Sequence, residues 1–233
     1  MKKGKLIVID GIDGSGKATQ VALLKKHLAR EGRKVKTIDF PRYYDNFFGH
    51  LLGRYLSGAY GDFTQTDPRV ASVLYAADRF ESSKQIKQWL EQGYLVIADR
   101  YVSANQIHQG GKISDVRKRK VFMKWLEQME FVVFGIPKPD LVIYLDVPFE
   151  VSREWLKNKI LQRMKKYRQG RKDVAEANLL YLKNSRHSAL SLAKENKNWE
   201  RVECCRGTGC LLPEQIHERV FALIQRRLHI GKM

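Results

Sequence analysis

Hydrophobic and polar positions along this 233-residue chain fall into two alternating textures. Four short runs are almost continuously apolar: Leu6–Asp10, Val35–Phe40, Tyr94–Asp99 and Leu141–Asp146. Longer stretches with helical spacing separate them. A strand covered on both faces loses the in-and-out alternation of a half-exposed one, so the pattern predicts a parallel sheet with helices on both sides. A weaker run, Trp199–Cys205, predicts a fifth strand. Lys17 to Arg30 reads as a helix that stops at Gly32. A second helical region opens at Thr66-Asp67-Pro68, a capping residue followed by proline in the first turn, and ends before Gly93. No repeat, low-complexity stretch or linker interrupts the sequence, which predicts one domain over residues 1–233.

The first strand runs straight into Gly11-Ile-Asp-Gly-Ser-Gly-Lys17, with the G-x-x-x-x-G-K spacing of a phosphate-binding loop. The chemistry explains the spacing. Glycines let backbone N–H groups converge on phosphate oxygens, the following helix contributes partial positive charge, and Lys17 reaches the β- and γ-phosphates. The bland alternative is a glycine turn with a chance lysine, but the strand before and the helix after are the context the motif needs. One letter departs from the pattern: Ala18 stands where a Ser or Thr would hold magnesium.

Charge narrows the partners. The chain carries 43 Lys and Arg against 25 Asp and Glu, a formal charge of +18, which favours anionic ligands. Lys157, Lys159, Arg163, Lys165, Lys166, Arg168, Arg171 and Lys172 crowd into one polar span. Such a run alone reads as a solvated helix. After the fourth strand of a phosphate-loop protein it reads as a basic lid, about residues 153–172, that closes over an anionic substrate. No apolar run is long enough to span a membrane. The start leads directly into the loop strand and leaves no room for a removable signal peptide, and three cysteines suit a reduced, cytoplasmic protein.

Strands three and four end in Asp99 and Asp146, at the sheet edge where open α/β folds bind ligands. Asp99 is followed by Arg100, a pairing suited to metal handling and phosphate grip, with a surface ion pair as the alternative. Asp146, before Val147-Pro148, is expected to shape a turn. Arg42 and Tyr43 follow Phe40-Pro41 at the end of the second strand and could hydrogen-bond a phosphate. Tyr75 and Arg79 share a helix face, one turn apart. By spacing alone Tyr75 reads as core.

Taken together these pieces resemble the thymidylate kinase family over almost the whole length. The resemblance rests on Asp13-Gly-Ser-Gly-Lys-Ala-Thr-Gln20, Phe40-Pro41-Arg42, Leu74-Tyr-Ala-Ala-Asp-Arg79, Asp99-Arg-Tyr with Asn105 and Gln109, and Leu145-Asp-Val-Pro148, in that order and followed by the lid. It implies a five-stranded parallel sheet of the nucleoside monophosphate kinase type. It also implies transfer of the γ-phosphoryl group of ATP to dTMP with Mg2+, in a cytoplasmic homodimer. ATP phosphates would lie against Gly11, Gly14, Ser15, Gly16, Lys17, Ala18 and Thr19. Asp13 would accept from the sugar 3′-hydroxyl or from water beside it, and Arg42 and Arg100 would hold the acceptor phosphate. Tyr75 would stack on thymine, Arg79 would reach O4, and Asn105 would contact the polar edge of the base. Phe40, Tyr43, His108 and Gln109 complete the acceptor site, and Asp99 lies near the metal. Arg171, or next Arg168, would meet the transferring phosphoryl group, because Gly14 stands where some members carry a loop arginine. Glu- and Asp-bearing positions after Arg171 match the acidic pair of relatives. His108 replaces a Tyr near the sugar, which weakens the basis for rejecting ribonucleotides.

Other readings make different demands. A kinase for another nucleoside monophosphate would keep the loop and change the base pocket. A GTP-hydrolysing switch would need Asn-Lys-x-Asp, which the sequence lacks. A nucleic-acid binder would interleave aromatic and basic residues on one surface, whereas the basic residues here concentrate in the lid. The loop Arg206–Cys210 is the expected adenine contact.

Overall fold

The computed structural model describes residues 3–61, 63–164, 179–206 and 209–229. Five parallel strands form the central sheet: β1 (Lys5–Asp10), β2 (Val35–Asp39), β3 (Leu95–Asp99), β4 (Leu141–Asp146) and β5 (Trp199–Glu203), in spatial order β2-β3-β1-β4-β5. The four apolar runs are therefore the four strands expected, within a residue at their ends. Alternate side chains of each strand enter opposite cores. Leu6, Val8, Val96 and Tyr144 meet Ala76, Ile86, Phe122 and Leu192 on one face. Ile7, Ile9, Ile97 and Ile143 meet Leu24, Leu28, Val220 and Ile224 on the other.

The helices are α1 (Lys17–Arg30), α2 (Phe47–Leu56), α3 (Pro68–Glu91), α4 (Val102–Ala104), α5 (Val116–Glu127), α6 (Phe149–Met164), α7 (Leu179–Glu195) and α8 (Pro213–Leu228). Asp67 caps α3 as its sequence suggests, its carboxylate accepting from Arg69 N at 2.8 Å. Two helices end in π turns: α4 runs into Asn105–Gln109 and α5 into Gln128–Val133. Such turns re-aim side chains and recur at functional sites.

The expected fifth strand is shorter than Trp199–Cys205. Cys204 N still donates to Asp146 O at 3.0 Å, but the chain then turns into an antiparallel hairpin, β6 (Cys205–Arg206) with β7 (Gly209–Cys210). Cys205 lies opposite Cys210 there, and the two form a disulfide. The expectation of three reduced cysteines is thus corrected; Cys204 is free and buried. Asp146 does more than shape a turn. Its buried carboxylate accepts from Arg186 at 2.7 and 3.1 Å and from Arg201 at 2.8 Å, tying α7 and β5 to the end of β4.

Candidate active site

A cleft of about 930 Å³ opens at the carboxyl ends of the strands. Its floor is the phosphate loop, Ile12 to Gln20. One wall holds Phe40, Tyr43, Tyr75, Arg79, Asn105 and Gln109, and the far end holds Cys210, Leu211, Leu212 and Pro213. Asp99, Arg100 and His108 lie between.

The loop geometry follows from its glycines. Gly16 adopts φ 87° and Gly14 φ 79°, the left-handed region open to glycine. A Cβ on Gly14 would come within 2.3 Å of Ser152 O on α6, so the fold itself excludes an arginine at that position. Lys17, the first residue of α1, folds back to donate to Gly11 O and Ile12 O, both at 3.0 Å. Burial, with Arg100 nearby, pulls its pKa down to about 8 against the opposing pull of Asp13 and Asp99. Ala18 and Thr19 line the cleft beside it.

At the mouth of the loop the charges are partly exposed. Arg100 ion-pairs with Asp13, and Arg100 Nη1 lies 3.3 Å from His108 Nε2. Arg100 holds the Asp13 carboxyl well below the usual range, with burial opposing it. Burial and the same guanidinium push the His108 pKa down to about 4, so the ring is neutral near pH 7 and Nε2 accepts from Arg100. Arg100 itself sits at φ 65°, uncommon for a non-glycine residue and held by Arg100 N donating to Ile9 O at 3.0 Å. Burial raises the Asp99 pKa, with Lys17 and Arg100 opposing. Among the described residues no cluster of three or more His, Cys, Asp or Glu forms a metal cage. A single carboxylate at a phosphate loop fits magnesium all the same, because that ion keeps waters and binds through one or two carboxylates plus substrate phosphates.

The polar groups of the wall that holds Arg79 and Asn105 are buried and partly engaged. Arg79, 2% exposed, donates from Nε and Nη2 to Glu130, 0% exposed, each at 2.6 Å. Asn105 donates from Nδ2 to Ser72 O at 3.1 Å and to Glu130 Oε1 at 3.3 Å. These partners assign the amide orientation and leave Oδ1 as the acceptor. Gln109 Oε1 is buried and has no hydrogen-bond partner among the described residues. Tyr75 is both core and cleft: its ring meets Phe63 at 5.7 Å, edge to face, and it lines the cavity. Phe40 precedes a cis peptide to Pro41, and its ring packs 5.8 Å from Tyr101.

Not every expected residue gathers there. Arg42 is absent from the described lining: its guanidinium donates to Asp45 at 3.2 and 3.3 Å and to Gln85 at 3.5 Å, and Arg42 N donates to Asp78 Oδ2 at 3.1 Å. Arg168 and Arg171 lie outside the described residues, as do residues 165–172 of the expected lid and Gly207-Thr208 of the adenine loop. Two residues escaped the sequence reading. Asp10 ends β1, accepts from Gly11 N at 2.8 Å and from Ser103 Oγ at 2.5 Å, and so ties the loop to α4. Its signal was present, since it closes a strand with a carboxylate as Asp99 and Asp146 do. Glu130 gave none, because an acid in a helical stretch looks solvated.

The chain is similar to known proteins along most of its length. The family model described as thymidylate kinase matches residues 9–210. A thymidylate kinase of Thermosipho africanus is 30% identical over 224 residues, covering 95% of this chain and 98% of the relative. One of Mycobacterium tuberculosis is 35% identical over 150 residues, covering 64% and 69%. A solved thymidylate kinase structure from Candida albicans superposes with a TM-score of 0.69 at 23% identity, covering 96% of this chain and 92% of that one, which supports the fold.

Proposed function

The chain belongs to the thymidylate kinase family, and on that premise we propose how its cleft transfers the γ-phosphoryl group of ATP to dTMP, giving dTDP. One observation carries the reading: beside a phosphate loop, the acceptor wall presents a fixed donor and a fixed acceptor. Glu130 occupies Arg79 Nε and Nη2, so Nη1 remains to donate to a base carbonyl. Asn105 spends Nδ2 on Ser72 and Glu130, so Oδ1 remains to accept. Thymine offers the complement, a carbonyl at O4 and a donor at N3–H. Cytosine reverses both. Tyr75 supplies the stacking face and Gln109 Oε1 a second acceptor.

The reaction brings two polyanions together through a loose transition state, so the protein mainly positions groups and stabilises charge. Lys17 leaves the loop carbonyls for the β- and γ-phosphates of ATP. Arg100 turns from Asp13 and His108 to the acceptor phosphate, while Asp13 accepts from the sugar side. Asp99 would hold magnesium together with the phosphates, and the ion would supply charge neutralisation between donor and acceptor. A lid arginine, Arg171 or next Arg168, completes the charge set, and a closed lid would exclude water and suppress ATP hydrolysis.

The unit acts as a single catalytic domain. A homodimer is the assembly proposed, supported by exposed Val70, Val73 and Phe80 on one face of α3, with the Phe80 ring 5.2 Å from that of Phe134, which follows exposed Val132 and Val133 in the chain. Among the described residues no helix is long and apolar enough to cross a membrane, and the cytoplasm, where ATP is maintained, is the proposed location.

A coupled ADP-release assay across monophosphate acceptors tests the assignment. dTMP should be the best substrate. dUMP presents the same polar edge and should be slower by the worth of one buried methyl, about 0.8 kcal/mol or about fourfold. dCMP, AMP and GMP should lie near background, and a purine preference would overturn the reading.

A further inference from the structure

We propose that Glu130, which lies behind the cleft wall, sets the preference for thymine over cytosine, by fixing the guanidinium plane of Arg79 and by sharing with Ser72 O the hold on the Asn105 amide. This deepens the acceptor-site reading above and rests on it.

The geometry is specific. One carboxylate serves two readers from different elements: Oε2 takes Arg79 Nε, and Oε1 takes both Arg79 Nη2 and Asn105 Nδ2. The bidentate fork fixes the guanidinium plane, which a single hydrogen bond would not. Asn105 is ambiguous by itself, since its amide can present either oxygen or nitrogen. With Ser72 O and Glu130 Oε1 both acceptors, only the nitrogen can face them.

Both Asn105 and Glu130 stand on π turns, Asn105–Gln109 and Gln128–Val133, which bring α4 and α5 against the Arg79 turn of α3. Glu130 is fully buried and is not part of the cleft lining among the described residues, so it acts as a positioning residue. Glu130→Gln would offer one acceptor oxygen to the three N–H donors of Arg79 and Asn105, and its own NH2 would face one of them. Only Ser72 O would then hold the Asn105 amide, so the reversed orientation, with Nδ2 presented to N3, would gain population at the cost of that one hydrogen bond. That arrangement suits cytosine, whose N3 accepts.

The test is steady-state kinetics of Glu130→Gln and Glu130→Asp in the full chain, with dTMP, dUMP and dCMP at fixed ATP. For Glu130→Gln, kcat/KM for dTMP should fall by about tenfold or more, and the dTMP-to-dCMP ratio of kcat/KM should fall by about tenfold. The KM for ATP should stay within about twofold, because the donor half is untouched. Glu130→Asp keeps the charge but is too short to span the fork, and its ratio should fall part of the way. A merely structural role would lower all three acceptors together. A folded variant of either kind with the wild-type ratio overturns the proposal. If Glu130→Gln does not fold, Glu130→Asp decides by the same criterion. Failure of the underlying acceptor reading looks different, because the unmodified chain would then show no preference for dTMP over dCMP.

Discussion

The two halves of the cleft handle charge in opposite ways. On the acceptor wall, Arg79 and Glu130 are 2% and 0% exposed and locked in a fork. At the mouth of the phosphate loop, Arg100 and Asp13 are 20% and 42% exposed and joined at one point. Removing one partner of a buried pair strands a charge and costs about 3–5 kcal/mol, so the wall keeps its geometry whether or not substrate is present. The Arg100–Asp13 pair is partly exposed and joined at a single point, so its members can trade one another for phosphate and sugar. In the proposed function, base recognition falls to the rigid half and phosphate handling to the exchangeable half.

The largest effect that would sharpen this division is Lys17→Ala. The phosphates would lose charge-assisted bonds worth about 1.5–3 kcal/mol each, so turnover should fall by about 10²–10⁴-fold. Near-normal activity of a folded variant would remove the loop from the mechanism. Arg171→Ala should lower kcat about a hundredfold with little change in ATP affinity, the signature of a contact made mainly in the transition state. Alanine variants at Arg163, Arg168 and Arg171 that all kept kcat within about twofold would exclude a lid arginine.

Asp13→Asn tests the exchangeable pair. It should lower kcat/KM for dTMP by about tenfold and largely spare ATP, whereas an ATP defect with unchanged dTMP parameters would place Asp13 on the wrong substrate. The pH profile comes next. With its pKa near 8, Lys17 is cationic below that value and loses its charge as pH rises through it. In the free enzyme kcat/KM for ATP should therefore be flat to about pH 7.5 and lower by about tenfold at pH 9, and a profile flat through pH 9 would contradict the shift. The smallest expected effect is Ser103→Ala, which removes the tie from Asp10 to α4 and should lower kcat about threefold, with Ser103→Thr restoring it.

The same contrast explains what was legible in the sequence. β1 to β4 were readable because a strand covered on both faces is a continuous apolar run, and the phosphate loop because its residues are neighbours in the chain. β5 was overextended, since nothing in Trp199–Cys205 announces that Cys205 will pair with Cys210 across a hairpin. The resemblance supplied Arg79 and Asn105, but their common anchor, Glu130, lies 51 residues from Arg79 and carries no local signature. Arg42 was placed in the cleft by its motif, whereas the carboxylates that hold its backbone and side chain, Asp78 and Asp45, turn it aside. Local motifs reveal the charge-handling half, and long-range pairing conceals the reading half.

The central claim is that these halves are separable, and calorimetric titration of dTMP into Lys17→Ala protein without ATP tests it most directly. The account predicts a dTMP dissociation constant within about threefold of wild type in an enzyme that no longer turns over. Loss of dTMP binding in that folded variant, by tenfold or more on the same scale, would show that the acceptor wall depends on the loop lysine and would contradict the account.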